Sequence, residues 1–269
     1  MSGIPYVNLS AQWGEEREEL LPIIESVLES GQYVGSDEID KLENEIEQEF
    51  GVRHVVALNS GTDALLLGLL AINVGPGDEV ITPPNSFIAS TAVISRVGAI
   101  PVFVDVGSDQ NIDPRLIEQS ITKKTKAIMP VHLSGRVSDM TTIMEIADRY
   151  NIPVIEDAAQ AIGSRLEGKL SGSWGRVGCF SAHPLKNLNA CGDAGFITTN
   201  DNQIAQKIRR MRNHGLIDRE TAENFGFVSR MDAIQAAILR FRLPLLSEIA
   251  KKRRGNASLY RSILDPNTV

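Results

Sequence analysis

Short apolar runs alternate with longer stretches of helical spacing along most of this chain. Runs at 54–58, 79–82, 101–105, 126–131, 153–156, 177–181 and 195–199 span four to six residues each. They are rich in Val and Ile and flanked by turn-forming residues, as buried strands are. Between them, apolar residues recur at helical intervals over 63–73, 86–96, 113–120, 138–150 and 201–213. Two more helices are expected before the first strand, Glu15 to Leu28 and Ser36 to Phe50, the second strongly acidic with one solvated face. A long helical stretch runs from Met231 to Ile263. This order predicts a three-layer α/β/α sandwich around a mainly parallel sheet. Pro83-Pro84 and Pro130 fall just past strand ends and mark loops at the sheet's functional edge.

Composition narrows the classes. The 269 residues are 42% hydrophobic and 23% charged, enough for a large core. A net charge of −7 without a long basic stretch argues against a nucleic-acid partner. No window approaches 18 uninterrupted apolar residues, so no membrane span is expected. Met1 to Trp13 lacks an export-type apolar core. Cys179 and Cys191 then read as reduced thiols of a cytoplasmic protein. His54, His132 and His214 have no metal-ligand spacing, and no HExxH or CxxC pattern occurs, so no metal is expected. The run Lys207 to Arg212 reads as a solvated helix face, with phosphate recognition as the less favoured alternative.

Three segments carry candidate chemistry. Asn59-Ser60-Gly61-Thr62-Asp63-Ala64 follows an apolar strand and opens a leucine-rich helix. Its free N–H groups and helix dipole suit a phosphate, although a plain Ser/Thr N-cap is the common use of such residues. Asp157 ends the apolar run beginning at Ile152, either as a carboxylate at the sheet's active edge or as a strand-end cap. Lys186 lies between an apolar strand and the loop Gly192 to Gly195, where a desolvated amine could condense with a carbonyl compound. Phosphate donors, a carboxylate for a ring nitrogen and an amine for an aldehyde together fit pyridoxal 5′-phosphate.

The ordered blocks carry a resemblance as well. Gly31 to Gly35, Asn59 to Leu65, Gly75 to Val80, Asn85-Ser86-Phe87, Pro130 to Leu133, Glu156 to Gln160, Phe180 to Gly195, Ser229 to Asp232 and Ile234 to Ala237 resemble the DegT/StrS sugar aminotransferases, pyridoxal-phosphate enzymes of fold type I. The match runs from about Pro5 to about Leu245. The resemblance implies that Lys186 is the Schiff-base lysine and Asp157 the partner of the pyridine nitrogen. Gln160 would lie near the ring's phenolic oxygen, and Phe87 would stack on the ring. Ser60, Gly61, Thr62, Asp63 and Ser181 would hold the phosphate. His183 and Arg230 are weaker candidates for the substrate side.

It further implies transfer of an amino group, with glutamate as donor, to a nucleotide-linked keto-sugar by a homodimer with shared sites. The family's dehydratases carry histidine at the position of Lys186, so transamination is favoured over sugar dehydration. Two departures stand out. Val228 occupies a position where relatives carry an asparagine that reaches the partner's cofactor phosphate. Residues 1–245 would form the N-terminal segment and cofactor-binding domain, and 246–269 only the start of a smaller C-terminal domain. That leaves a cofactor-binding or regulatory protein with impaired catalysis as the alternative.

Overall fold

A computed structural model describes Pro5 and residues 7–265. The outermost positions of the two expected domains, residues 1–4, 6 and 266–269, lie outside the described residues. In chain order the elements are α1 (Leu9–Ser30), α2 (Asp37–Phe50), β1 (His54–Leu58), α3 (Gly61–Ala71), β2 (Glu79–Thr82), α4 (Ile88–Arg96), β3 (Ile100–Phe103) and α5 (Pro114–Ile117). Then come β4 (Thr125–Ile128), α6 (Met140–Tyr150), β5 (Ile155–Asp157), β6 (Arg165–Leu166), β7 (Lys169–Leu170), β8 (Val177–Ser181), β9 (Gly195–Thr199), α7 (Asn202–Met211), α8 (Ala233–Arg242) and α9 (Leu246–Ile263).

Strands β1-β9-β8-β5 and β3-β2-β4 form two ladders. Parallel bridges Ile128↔Val154 and Val131↔Asp157 join them into one sheet. Within this sheet β9 runs antiparallel to both its neighbours, β1 and β8. The connection from β8 to β9 is a loop without a crossover helix, and such a loop returns the chain antiparallel.

The period-two alternation of the strands assigns side chains to the two faces. Val56 and Leu58 of β1 join Val177 and Cys179 under α3, α4 and α7. Val55 and Ala57 join Phe180 and Phe196 under α2 and α8. Ile81 and Ile128 pack with α6 on that second face farther along the sheet. Phe180 and Phe196 stack at 4.7 Å between ring centroids, with Phe50 edge-on to Phe180 at 5.4 Å. The three layers expected from the sequence are therefore present.

Several boundaries differ from expectation. The stretch from Met231 breaks at a 3-10 turn, Leu243–Leu245, where Pro244 cannot donate the next helical hydrogen bond. The hairpin β6–β7 has strands of only two residues, too short for a readable period. Lys207 to Arg212 is not a solvated face. Lys207 Nζ donates to the Leu70 and Ala71 carbonyls at the end of α3, at 2.8 and 3.2 Å. Arg209 and Arg212 pair with the buried Glu43, and Arg210 pairs with Glu223. The basic run ties α7 to α2 and α3.

Candidate active site

The carboxyl ends of β1, β5 and β8 meet at one edge of the sheet, in line with the general location of sites in open α/β sheets. Asp157 is the last residue of β5 and is 5% exposed. Ser90 Oγ of α4 donates to Asp157 Oδ2 at 2.7 Å, and the Ala159 N–H donates to Oδ1 at 3.2 Å. The Ser90 proton is thereby committed, so Ser86 Oγ, 2.7 Å away, is the donor in the Ser86–Ser90 pair. Burial pushes the Asp157 carboxyl above the usual aspartate range. The Ser90 and Ala159 hydrogen bonds and the Lys186 charge pull it back.

A second buried layer supports this strand end. The Asp157 N–H donates to the Pro130 carbonyl at 2.9 Å, and the His132 N–H donates to the Asp157 carbonyl at 3.0 Å. The Ser138 N–H reaches His132 Nδ1 at 3.2 Å, which makes Nδ1 an acceptor and leaves Nε2 to carry the proton toward Glu156 Oε2 at 3.0 Å. Glu156 also accepts N–H groups from Gly172, Trp174 and Gly175, each at 2.7 Å. This carboxylate clamps the 172–175 loop behind the site.

Lys186 lies in the loop between β8 and β9, where its N–H closes a turn on the His183 carbonyl at 2.8 Å. The side chain is half-buried. Burial lowers its pKa below that of an ordinary lysine, and the nearby Asp157 charge opposes the shift. Lys186 and Gln160 line one cleft of about 1210 Å³. Gln160 Oε1 accepts the Ser134 N–H at 2.8 Å, which leaves the Gln160 NH₂ group free of any recorded partner among the described residues.

The third corner is the start of α3. Ser60 caps it: its hydroxyl accepts the Asp63 N–H at 3.1 Å and donates to Asn59 Oδ1 at 3.1 Å. The N–H groups of Gly61 and Thr62 carry no recorded hydrogen bond among the described residues, as expected of an open helix start. Gly61 sits against Ser181, the last residue of β8, and a Cβ on Gly61 would come within 2.5 Å of Ser181 Cβ. Gly195 faces the same junction, where an added Cβ would come within 2.6 Å of the Gly61 nitrogen. These two glycines let the helix start touch the strand ends.

A buried carboxyl short of a cation, a desolvated amine and a pair of unpaired helix-start N–H groups beside Ser181 are the donor set that pyridoxal 5′-phosphate requires, and the residues present fit it. The model of the DegT/DnrJ/EryC1/StrS aminotransferase family matches residues 15–268. The chain belongs to that family. Membership brings the enzyme class, a pyridoxal-phosphate-dependent sugar aminotransferase. The crystal structure of S. venezuelae DesV in complex with a ketimine intermediate is 41% identical, with a TM-score of 0.94 over 96% of this chain and 70% of that one. A UDP-N-acetyl-3-dehydro-alpha-D-glucosamine 3-aminotransferase of Acidithiobacillus ferrooxidans is 43% identical over 96% of this chain and 70% of its own length. The pleiotropic regulatory protein of Geobacillus stearothermophilus is 41% identical over 97% of this chain and 71% of its own length.

Within this family member, not every expected residue converges. Phe87 caps the start of α4, three residues before Ser90, and its ring is 70% exposed. Asp63 lies in the first turn of α3. His183 turns inward on its own loop, with Nδ1 accepting the Leu185 N–H at 3.3 Å. Arg230 lines a separate cavity of about 260 Å³ with Arg209 and Arg212, and bonds Asn213 at 2.9 Å. The exposed Val228 offers its carbonyl to Asn59 Nδ2 at 3.5 Å. Sequence reasoning missed Ser90, whose one signal was the Ser86–Ser90 spacing of one helical turn around Phe87. It also missed the roles of His132 and Glu156. Among the described residues no group of three or more His, Cys, Asp or Glu side chains could hold a metal, and no helix is long and apolar enough to cross a membrane.

Proposed function

We propose that this protein transfers an amino group from glutamate to the keto group of a nucleotide-linked sugar. The observation that carries the reading is the meeting of buried Asp157 at the end of β5, the open start of α3 against Ser181 at the end of β8, and half-buried Lys186 in the loop that follows β8. Bound pyridoxal 5′-phosphate supplies an aldehyde that captures amines covalently and a ring that accepts the electron pair of a broken C–H bond.

The chain's own residues do the rest. Asp157 keeps the ring nitrogen protonated, and Ser90 and Ala159 hold its carboxylate in place. The Gly61 and Thr62 N–H groups, with the Ser181 hydroxyl, would take the phosphate at the positive end of α3, where Ser60 already holds the Asp63 N–H. Gln160 presents its NH₂ group to the phenolic oxygen. Phe87 covers the ring. Lys186 Nζ would hold the cofactor's aldehyde carbon. As a free amine, Lys186 Nζ would take up the proton of the substrate carbon and give it back, first as base and then as acid. Its lowered pKa keeps more of it in the neutral, basic form at neutral pH than an ordinary lysine.

The sugar class is supported by relatives named for UDP- or dTDP-linked sugars, while a Bacillus subtilis relative is named for 3-oxo-glucose-6-phosphate and glutamate. The working unit is a cytoplasmic homodimer, and the exposed apolar side chains Ile88, Tyr33 and Val34 are surface for the second subunit. Residues from 246 onward begin a second lobe after the cofactor-binding domain. Incubating the protein with ¹⁵N-glutamate and UDP-linked 3-keto sugars tests the reading by product mass. The expected product is a sugar carrying the heavy nitrogen, formed with stoichiometric 2-oxoglutarate. A product that has lost a hydroxyl without gaining nitrogen would assign dehydration instead.

A further inference from the structure

The cleft that holds Lys186 is wider than a cofactor needs. Sites for drug-sized ligands span about 300–1000 Å³, whereas this one reaches about 1210 Å³. Its far wall is α9. Ala250, Arg253, Arg254 and Ala257 line it, at helical spacings of three, four and seven, so a single face of α9 is presented. The two alanines leave room and the two arginines project charge. Arg165, anchored by a hydrogen bond to the Gly168 carbonyl at 2.8 Å, and Lys186 complete four cations in the lining, with no carboxylate among its residues.

That concentration of positive charge stands out in a chain of net charge −7. Most other arginines near α1, α2, α7 and α8 are tied to glutamates, as Arg209, Arg212, Arg240 and Arg242 are. On α9 the acidic residue of the first turn, Glu248, pairs with Lys251, which does not line the cleft. Arg253 and Arg254 have no recorded acidic partner among the described residues. Exposed cations left unpaired in the lining of a cleft that also holds the half-buried Lys186 amine favour an anionic ligand there.

We infer that Arg253 and Arg254 bind the diphosphate of the nucleotide-linked sugar. This rests on the proposed function, and it adds the residues that set the distance between the diphosphate and the keto carbon. Guanidinium forks match two adjacent phosphates with paired hydrogen bonds. Neighbouring positions on one helix face hold them side by side. Arg165, on the β6–β7 hairpin, adds a further cation to the same lining.

UDP is the probe. Isothermal titration of the holo-protein gives the wild-type affinity, and Arg253→Gln/Arg254→Gln is compared with Lys251→Gln/Lys252→Gln, which removes the same charge away from the cleft. The arginine pair should weaken UDP binding by on the order of a hundredfold, about tenfold for each charge-assisted hydrogen bond removed, and the lysine pair should change it less than threefold. Arg253→Lys/Arg254→Lys should fall between them. Equal weakening in both glutamine pairs, unaltered UDP binding in the arginine pair, or no UDP binding by the wild type would overturn the inference. Borohydride trapping at Lys186 in the same samples separates this outcome from a failure of the aminotransferase reading. Cofactor retained at Lys186 with no effect of the arginines rejects only the diphosphate site.

Discussion

Asp157 and Lys186 act on each other's charge, yet the chain treats their surroundings in opposite ways. Around Asp157 the acceptors and donors are answered from within: Ser90, Ala159, Pro130 and His132 close on it, and Glu156 locks the layer behind. Around Lys186 the wall stays open, with free N–H groups at Gly61 and Thr62, an uncovered Phe87 and unpaired arginines on α9. The buried side fixes a charge before any ligand arrives. The open side leaves donors that only a ligand can satisfy, so its geometry is completed by binding.

The largest test strikes the closed side. Asp157→Asn removes the charge while keeping the shape, and kcat should fall about 10²–10³-fold, the scale of losing one preorganised electrostatic partner. Stability should move the other way. Burial raises the carboxyl's pKa in the folded apo-protein, so above the ordinary aspartate range the folded state binds more protons than the unfolded chain. Its contribution is fully present below that range and is lost as pH rises through the raised value. Melting of the apo-variant should therefore decline less with rising pH than wild type. A kcat near wild type would break the contrast.

A smaller effect is expected at the open side's hinge. Gly61→Ala places a methyl 2.5 Å from Ser181 Cβ, an overpacking worth about 1–3 kcal/mol. Because the helix start must shift, pyridoxal 5′-phosphate affinity should drop roughly tenfold by spectroscopic titration, in line with that energy. Unchanged affinity would remove the helix start from the phosphate site. The least change belongs to Phe87→Ala. The exposed ring should contribute under about 0.5 kcal/mol to folding. The cofactor should nevertheless dissociate a few-fold faster, since ring stacking is worth about 0.5–1.5 kcal/mol.

The same contrast explains what the sequence revealed. Strands such as His54–Leu58 and Val177–Ser181 were legible because apolar side chains fill both faces of a covered sheet. Asp157, Lys186 and the start of α3 stood out as candidates because each sits at a strand end or loop next to such a run. Ser90 was not, because its partner lies 67 residues away and a serine inside a helix carries no pattern of its own. Lys207 to Arg212 was misread for the same reason: the Glu43 that neutralises Arg209 and Arg212 is 166 and 169 residues distant. Local spacing reports elements, while charge partners are set by the packing of elements remote in sequence.

The proposed chemistry depends on where the covalent bond to the cofactor forms. Reducing the holo-protein with borohydride and mapping the tagged peptide by mass spectrometry addresses it directly. One tag is expected, on the peptide that carries Lys186, and none after Lys186→Ala. A tag on another lysine, or a protein that binds pyridoxal 5′-phosphate without forming a reducible bond, would contradict it.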